Sequence, residues 1–174
     1  MAPVVFIYGR RDPIDCGGIC LIVETPDNQL YCLIVEEEES IYGFPKGHIE
    51  PDDKNRKETA LRELYEEAGK DVANIVDFNN IICCIRAIDT HIFVLYTKVA
   101  SLPQLKTEEK DTVRKAYWHN LSTKMPKNVN RTIRAFKKYE KKIMSKIPYT
   151  PKVNMKFLTN LIEGITTYND KLPI

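Results

Sequence analysis

The period of the hydrophobic positions changes several times along the chain, and each change marks an element. Val4 to Tyr8 is a short apolar run closed by the turn-prone Gly9-Arg10-Arg11-Asp12-Pro13, the form of an edge strand, with Arg10 and Arg11 either surface residues or a ligand contact. Cys16 to Val23 is apolar throughout, as a strand buried on both faces requires. A turn at Pro26-Asp27-Asn28 leads to a second such run, Leu30 to Val35, so the two predict a hairpin. The period then becomes helical, with Leu61, Leu64, Tyr65 and Ala68 at i, i+3, i+4 and i+7. Asn55-Arg56-Lys57-Glu58 has the form of a capping box for that helix, and Gly69 is a natural stop. Ile75 to Ile88 and His91 to Val99 are rich in β-branched residues and predict an antiparallel pair joined at Asp89-Thr90. Pro126 to Lys146 predicts an amphipathic helix with Val129, Ile133, Phe136 and Ile143 on one face. After Pro148 and Pro151, Val153 to Tyr168 predicts a last helix.

Composition narrows the class. With 174 residues, 43% hydrophobic and 29% charged, the chain has the make-up of one soluble globular domain. A net charge of +2 conceals an uneven distribution. Glu36 to Glu39 are consecutive glutamates, expected as a solvated loop, whereas Leu121 to Lys146 holds nine Lys/Arg against one Glu. The basic helix 127–146 is therefore a candidate surface for gathering a polyanion, RNA included. The five cysteines include no CxxC pair, which points to a reducing compartment without structural disulfides or zinc. No stretch has the length of a membrane span, and the N-terminus lacks the form of a signal peptide, so cytoplasmic or nuclear residence is the expectation.

Chemistry concentrates between Phe44 and Val72. At about 100° per residue, Glu63, Glu66 and Glu67 project from the side of the helix opposite its apolar residues. Crowded carboxylates repel one another unless a cation sits among them, and hard oxygen ligands suit magnesium or manganese. The preceding loop, Phe44-Pro45-Lys46-Gly47-His48, offers backbone and a lysine to phosphates.

These residues resemble the Nudix box: Gly, five residues, Glu, seven residues, then Arg-Glu-aliphatic-any-Glu-Glu-any-Gly-aliphatic. Here Gly47 is followed by Arg62-Glu63-Leu64-Tyr65-Glu66-Glu67-Ala68-Gly69 in order. Asp53 stands where the box has Glu, eight residues rather than seven separate it from Arg62, and Lys70 replaces the last aliphatic residue, with Val72 close by. The resemblance implies an α/β Nudix fold over residues 1–147, a mixed β-sheet sandwiched between α-helices, with a C-terminal helical extension over 148–174. It implies a metal-dependent pyrophosphohydrolase, with Mg2+ or Mn2+ on Glu63, Glu66, Glu67 and the Gly47 carbonyl, and Arg62 orienting the glutamates. The general base would be one of these glutamates (Glu66) or an acid of the following loop, where Glu109 stands among Glu108 and Asp111. Lys46, His48 and Arg114 are the candidate substrate contacts. Residues 45–51 are similar to diadenosine polyphosphate hydrolases, and Arg114-Lys115-Ala116-Tyr117-Trp118 is similar to diphosphoinositol polyphosphate phosphohydrolases. Phe44-Pro45-Lys46-Gly47 also occurs in decapping enzymes, so an mRNA cap hydrolase is the alternative. A non-catalytic Nudix-fold module binding nucleotide or RNA is a third reading.

Overall fold

A computed structural model describes residues 1–108 and 113–148, without the Arg114 side chain. Its strands are β1 (Val5–Tyr8), β2 (Cys16–Glu24), β3 (Leu30–Glu37), β4 (Tyr42–Gly43), β5 (Lys46–His48), β6 (Ile81–Ala87), β7 (Thr90–Lys98) and β8 (Val113–Asn120). The helices are α1 (Arg56–Ala68), α2 (Lys70–Ala73) and α3 (Arg131–Met144). The strands form one mixed sheet in the order β1-β6-β7-β2-β3-β4, with β5 added to β2 and β8 to β3. β1 runs parallel to β6 and β2 parallel to β7, while β2–β3 and β6–β7 are antiparallel. The expected hairpins and edge strand are therefore present.

The apolar run of β2 is buried along its whole length because both faces are covered. Its even-numbered residues, Cys20 and Ile22, pack with Phe44, Ile85, Ile133, Phe136 and Ile143 under α3. Its odd-numbered residues, Ile19, Leu21 and Val23, pack with Ala60, Leu64, Ala68 and Val72 under α1 and α2. This period-two split makes the sheet the middle layer between helices. Each of Leu64, Ile133 and Phe136 is fully buried, contributing about 1.5–3 kcal/mol by transfer from water.

Several expectations shift. Residues 75–80 precede β6 as a turn and a short 3₁₀ segment, Phe78–Asn80, rather than extending the strand. The basic helix starts at Arg131, not at residue 126 or 127. Tyr42 donates its N–H to the Asn128 carbonyl at 2.9 Å, and Val129 bridges to Tyr42, which holds this stretch extended against β4. Asn130 then caps α3, its side chain accepting from the Thr132 N–H at 2.9 Å. Glu36 and Glu37 are not loop residues but the end of β3, both half-buried. The C-terminal helix expected over 153–168 lies outside the described residues, as does the extension from residue 149 onward.

Candidate active site

The crevice arises because β2 changes partner along one edge. Its C-terminal end, Ile22–Glu24, pairs with β3, whereas its N-terminal end, Cys16–Gly18, pairs with β5. Between them the Ile19 N–H donates to the Pro45 carbonyl at 3.1 Å, so the box loop lies directly on β2. On the face beneath, α1 approaches so closely that a Cβ on Gly17 would stand 2.9 Å from the Arg56 carbonyl oxygen.

That approach rotates α1 away from the face its apolar residues suggested. Thr59, Ala60, Glu63, Leu64, Glu67 and Ala68 are buried, while Tyr65 is 45% exposed. Glu63 and Glu67, expected opposite the apolar residues, therefore point inward at 7% and 4% exposure. Small Ala60 and Ala68 allow it, and the box loop receives the two carboxylates. Lys46 donates its backbone N–H to Glu67 Oε2 at 3.2 Å. A Cβ on Gly47 would lie 2.0 Å from the Glu63 carboxyl carbon, so only glycine leaves room for that carboxylate.

Arg62 ties the acids together. Its Nε and Nη2 donate to the two Asp53 oxygens at 3.2 and 3.0 Å, a bidentate pair. Its Nη1 donates to Glu63 at 2.7 Å and to Glu66 at 3.3 Å, and Nη2 also reaches the His48 carbonyl at 2.9 Å. The guanidinium holds the Asp53 carboxyl well below the usual carboxylate range, helped by the Glu50 N–H and the Thr59 hydroxyl. At the substituted box position, then, Asp53 anchors the arginine. Its spacing from Gly47 was the signal available in sequence. The capping box is also present in modified form, with Asn55 accepting from the Glu58 N–H at 3.0 Å and Glu58 accepting from the Lys54 N–H at 2.8 Å.

A cavity of about 660 Å³ opens above these groups, lined by Glu63, Glu67, Lys46, Gly47 and His48 from the expected set. Glu66 is absent from its lining and turns to Arg62 instead. Glu37, Glu38, Glu39, Glu50, Cys16 and Arg131 complete the polar wall. Of the glutamate run expected to be solvated, Glu38 and Glu39 are exposed, yet with Glu37 they line the crevice, and Glu37 lies 3.4 Å from the Lys46 ammonium. Six glutamates face two cationic side chains, Lys46 and Arg131, in this lining. That excess of oxygen donors, those of Glu63 and Glu67 buried, fits a hard divalent cation, which these two carboxylates could hold beside the Gly47 backbone.

Arg131 escaped notice in sequence as one of many basic residues on its helix. Its Nη2 is fixed by Asp89 Oδ1 at 2.8 Å and by the Thr90 hydroxyl at 3.0 Å, and its buried Nε has no hydrogen-bond partner among the described residues. Of the loop acids, Glu108 pairs with Lys106 at 3.0 Å, outside the cavity lining. Its N–H donates to the Glu66 carbonyl and Lys106 N–H to that of Ala68, so this loop closes the carboxyl end of α1. Glu109, Asp111 and the Arg114 side chain lie outside the described residues. His48 reaches the cavity with its ring mostly exposed, next to Asp15 and Cys16.

Fold and box together define a hydrolase of phosphorus-containing anhydrides. The sequence profile of the NUDIX domain matches residues 17–138, and the chain belongs to that family. It is similar to mRNA decapping complex subunit 2 of Schizosaccharomyces pombe, 29% identical over 117 residues. That match covers 66% of this chain but only 15% of the subunit's length. Among solved structures, it resembles RenU, a Nudix hydrolase of M. smegmatis, with TM-score 0.55 and 10% identity over 80% of this chain and 90% of that one. It also resembles the NUDIX domain of Shewanella oneidensis NrtR complexed with ADP ribose, with TM-score 0.51 and 15% identity over 77% and 90% of the two chains. At these identities the two structures show a shared fold.

Proposed function

We propose that the chain is a divalent-metal-dependent pyrophosphohydrolase cleaving a phosphoanhydride bond in a linear polyphosphate bridge of the diadenosine polyphosphate class. The observation that carries this reading is the pair of buried carboxylates, Glu63 and Glu67, facing the cavity at Gly47, with Glu63 held from behind by the Asp53-anchored Arg62 and Glu67 by the Lys46 backbone N–H. Glu63 and Glu67, with the Gly47 carbonyl, would hold a magnesium or manganese ion, which would supply positive charge to the phosphate and acidity to the attacking water. The protein's share is positioning: Lys46 and Arg131 bind phosphate oxygens, and Arg62 keeps Glu63 and Glu66 in place. Glu66, which Arg62 holds outside the described lining, or an acid of the 108–111 loop takes the proton of the attacking water. Lys46 is already offset by Glu37, and the other cation in the described lining is Arg131. Two cations among the described residues of the lining match a linear bridge better than the densely phosphorylated ring of diphosphoinositol polyphosphates.

The test is release of phosphate from diadenosine polyphosphates, diphosphoinositol polyphosphates, capped RNA and nucleoside triphosphates with magnesium or manganese. Turnover of the diadenosine substrate, lost by orders of magnitude in a folded Glu67→Gln variant, is the expected result. Folded protein that turns over nothing on this panel would instead support a binding module.

The match to a decapping subunit supports a second reading, hydrolysis of an mRNA cap, with the basic face of α3 gathering the RNA. Cap cleavage would then require long RNA and weaken steeply with salt. Equal activity on a free cap dinucleotide would argue for the small-molecule reading.

A further inference from the structure

A second set of donor atoms stands on the same crevice, built from segments more than thirty residues apart. Cys16 at the start of β2 and His48 at the end of β5 are register partners across an antiparallel pair. Cys16 Sγ lies 3.4 Å from His48 Nδ1, and Asp15 Oδ2 lies 3.8 Å from the same nitrogen. All three donor atoms fall within 4.8 Å of one another. The thiol is buried, while the side chains of Asp15 and His48 are 59% and 79% exposed, so the trio opens to solvent.

Two other uses of such a trio fail on geometry. A nucleophilic cysteine needs an imidazole with one nitrogen on the thiol and the other on the carboxylate. Here thiol and carboxylate crowd the same nitrogen, so the imidazole cannot relay a proton between them. Nor does substrate phosphate suit the trio, because Asp15 sets a negative charge against it.

A tetrahedral soft cation does suit it. Bond lengths of about 2.3 Å to sulfur and 2.0–2.1 Å to nitrogen or oxygen put donor–donor edges at about 3.3–3.6 Å. The observed 3.4 and 3.8 Å are within about half an ångström of those edges, and the thiol and carboxylate, within 4.8 Å of each other, would draw together around the ion. We propose that Asp15, Cys16 and His48 form a three-ligand site for a zinc-type divalent ion, separate from the glutamates. Ligand chemistry divides the two sites: all-oxygen Glu63 and Glu67 prefer magnesium or manganese, whereas thiolate with imidazole prefers zinc or cobalt. The expectation that the cysteines hold no zinc was drawn from the absence of CxxC spacing, a signal this site does not use.

The experiment is a cobalt titration of the whole chelator-stripped protein in a non-thiol reductant, with excess magnesium occupying the oxygen ligands. The expected result is a near-ultraviolet thiolate-to-cobalt band saturating at one ion per chain and bleached by zinc. Cys16 is the cysteine that lines the cavity, whereas the other four pack within the two core clusters, so the band reports Cys16. It disappears in Cys16→Ser, and cobalt affinity falls at least about tenfold in Asp15→Asn and His48→Ala. Those last two side chains are exposed, so their variants stay folded by circular dichroism even if Cys16→Ser does not. Absence of the band in the parent protein, or unchanged affinity in folded Asp15→Asn and His48→Ala, overturns the proposal. The readout is optical and independent of turnover, so failure here leaves the hydrolase reading intact.

Discussion

Gly47→Ala adds one methyl group where the structure leaves no room for it. The new Cβ would stand 2.0 Å from the Glu63 carboxyl carbon and 2.1 and 2.3 Å from its oxygens. Ordinary contact needs about 3.4 Å, so the carboxylate must retreat by roughly 1.4 Å. It is the end of a flexible side chain, and the backbone need not follow. The stability cost is therefore modest, about 1–2 kcal/mol from overpacking and a weakened bond to Arg62, or a melting-temperature drop of about 2–8 °C. The catalytic cost is disproportionate, because displacing a positioning group by about 1 Å lowers turnover about 10²-fold. The assay pairs thermal unfolding with kcat over a range of magnesium concentrations. A folded variant with parental kcat and metal dependence would refute the placement of Glu63 against Gly47 as the functional arrangement.

Asp53→Asn removes the charge that anchors Arg62 and costs about 1.5–3 kcal/mol in a urea melt. A carboxyl held low when folded stabilises above about pH 4 and loses that contribution as pH falls; the variant accordingly shows a flatter acid limb, and an unchanged limb would dismiss the anchor. Arg131→Gln raises KM for the polyphosphate substrate about tenfold while kcat stays within about threefold, as loss of uniform binding requires; steady-state kinetics decides it. Burial, then Arg56 and Arg86, pushes the His91 imidazole down to about 4 from its ordinary 6.5. As pH falls from 6.5 toward 4, the unfolded chain takes up a proton that the folded chain does not, so stability declines over that window. His91→Gln should lose less stability there by denaturant titration, and parallel profiles would count against a half-buried imidazole kept neutral.

Reading along the chain was sufficient wherever the determining interactions are local. The capping signal at Asn55, the helical period through Leu64 and Ala68, and the stop at Gly69 depend on residues a few positions apart, and α1 lies where they put it. The burial of β2 and β3 likewise follows from uninterrupted apolar runs, which only a sheet covered on both faces can bury. The box residues were legible for a similar reason, since Arg62, Glu63, Glu66 and Glu67 sit within a turn and a half of one helix.

Which way that helix faces was a tertiary decision. Leu61 and Tyr65 are as apolar as the residues that were buried, and only the close approach at Gly17 and the cradle at Gly47 turned Glu63 and Glu67 inward. Arg131, Glu37 and the Cys16–His48 pair come to the crevice through strand register and the tether of Asn128 to Tyr42. Those contacts join segments separated by roughly 30 to 90 residues. Periodicity reports which side of its own element a residue occupies, whereas pairing across the sheet sets which distant side chains share a cavity.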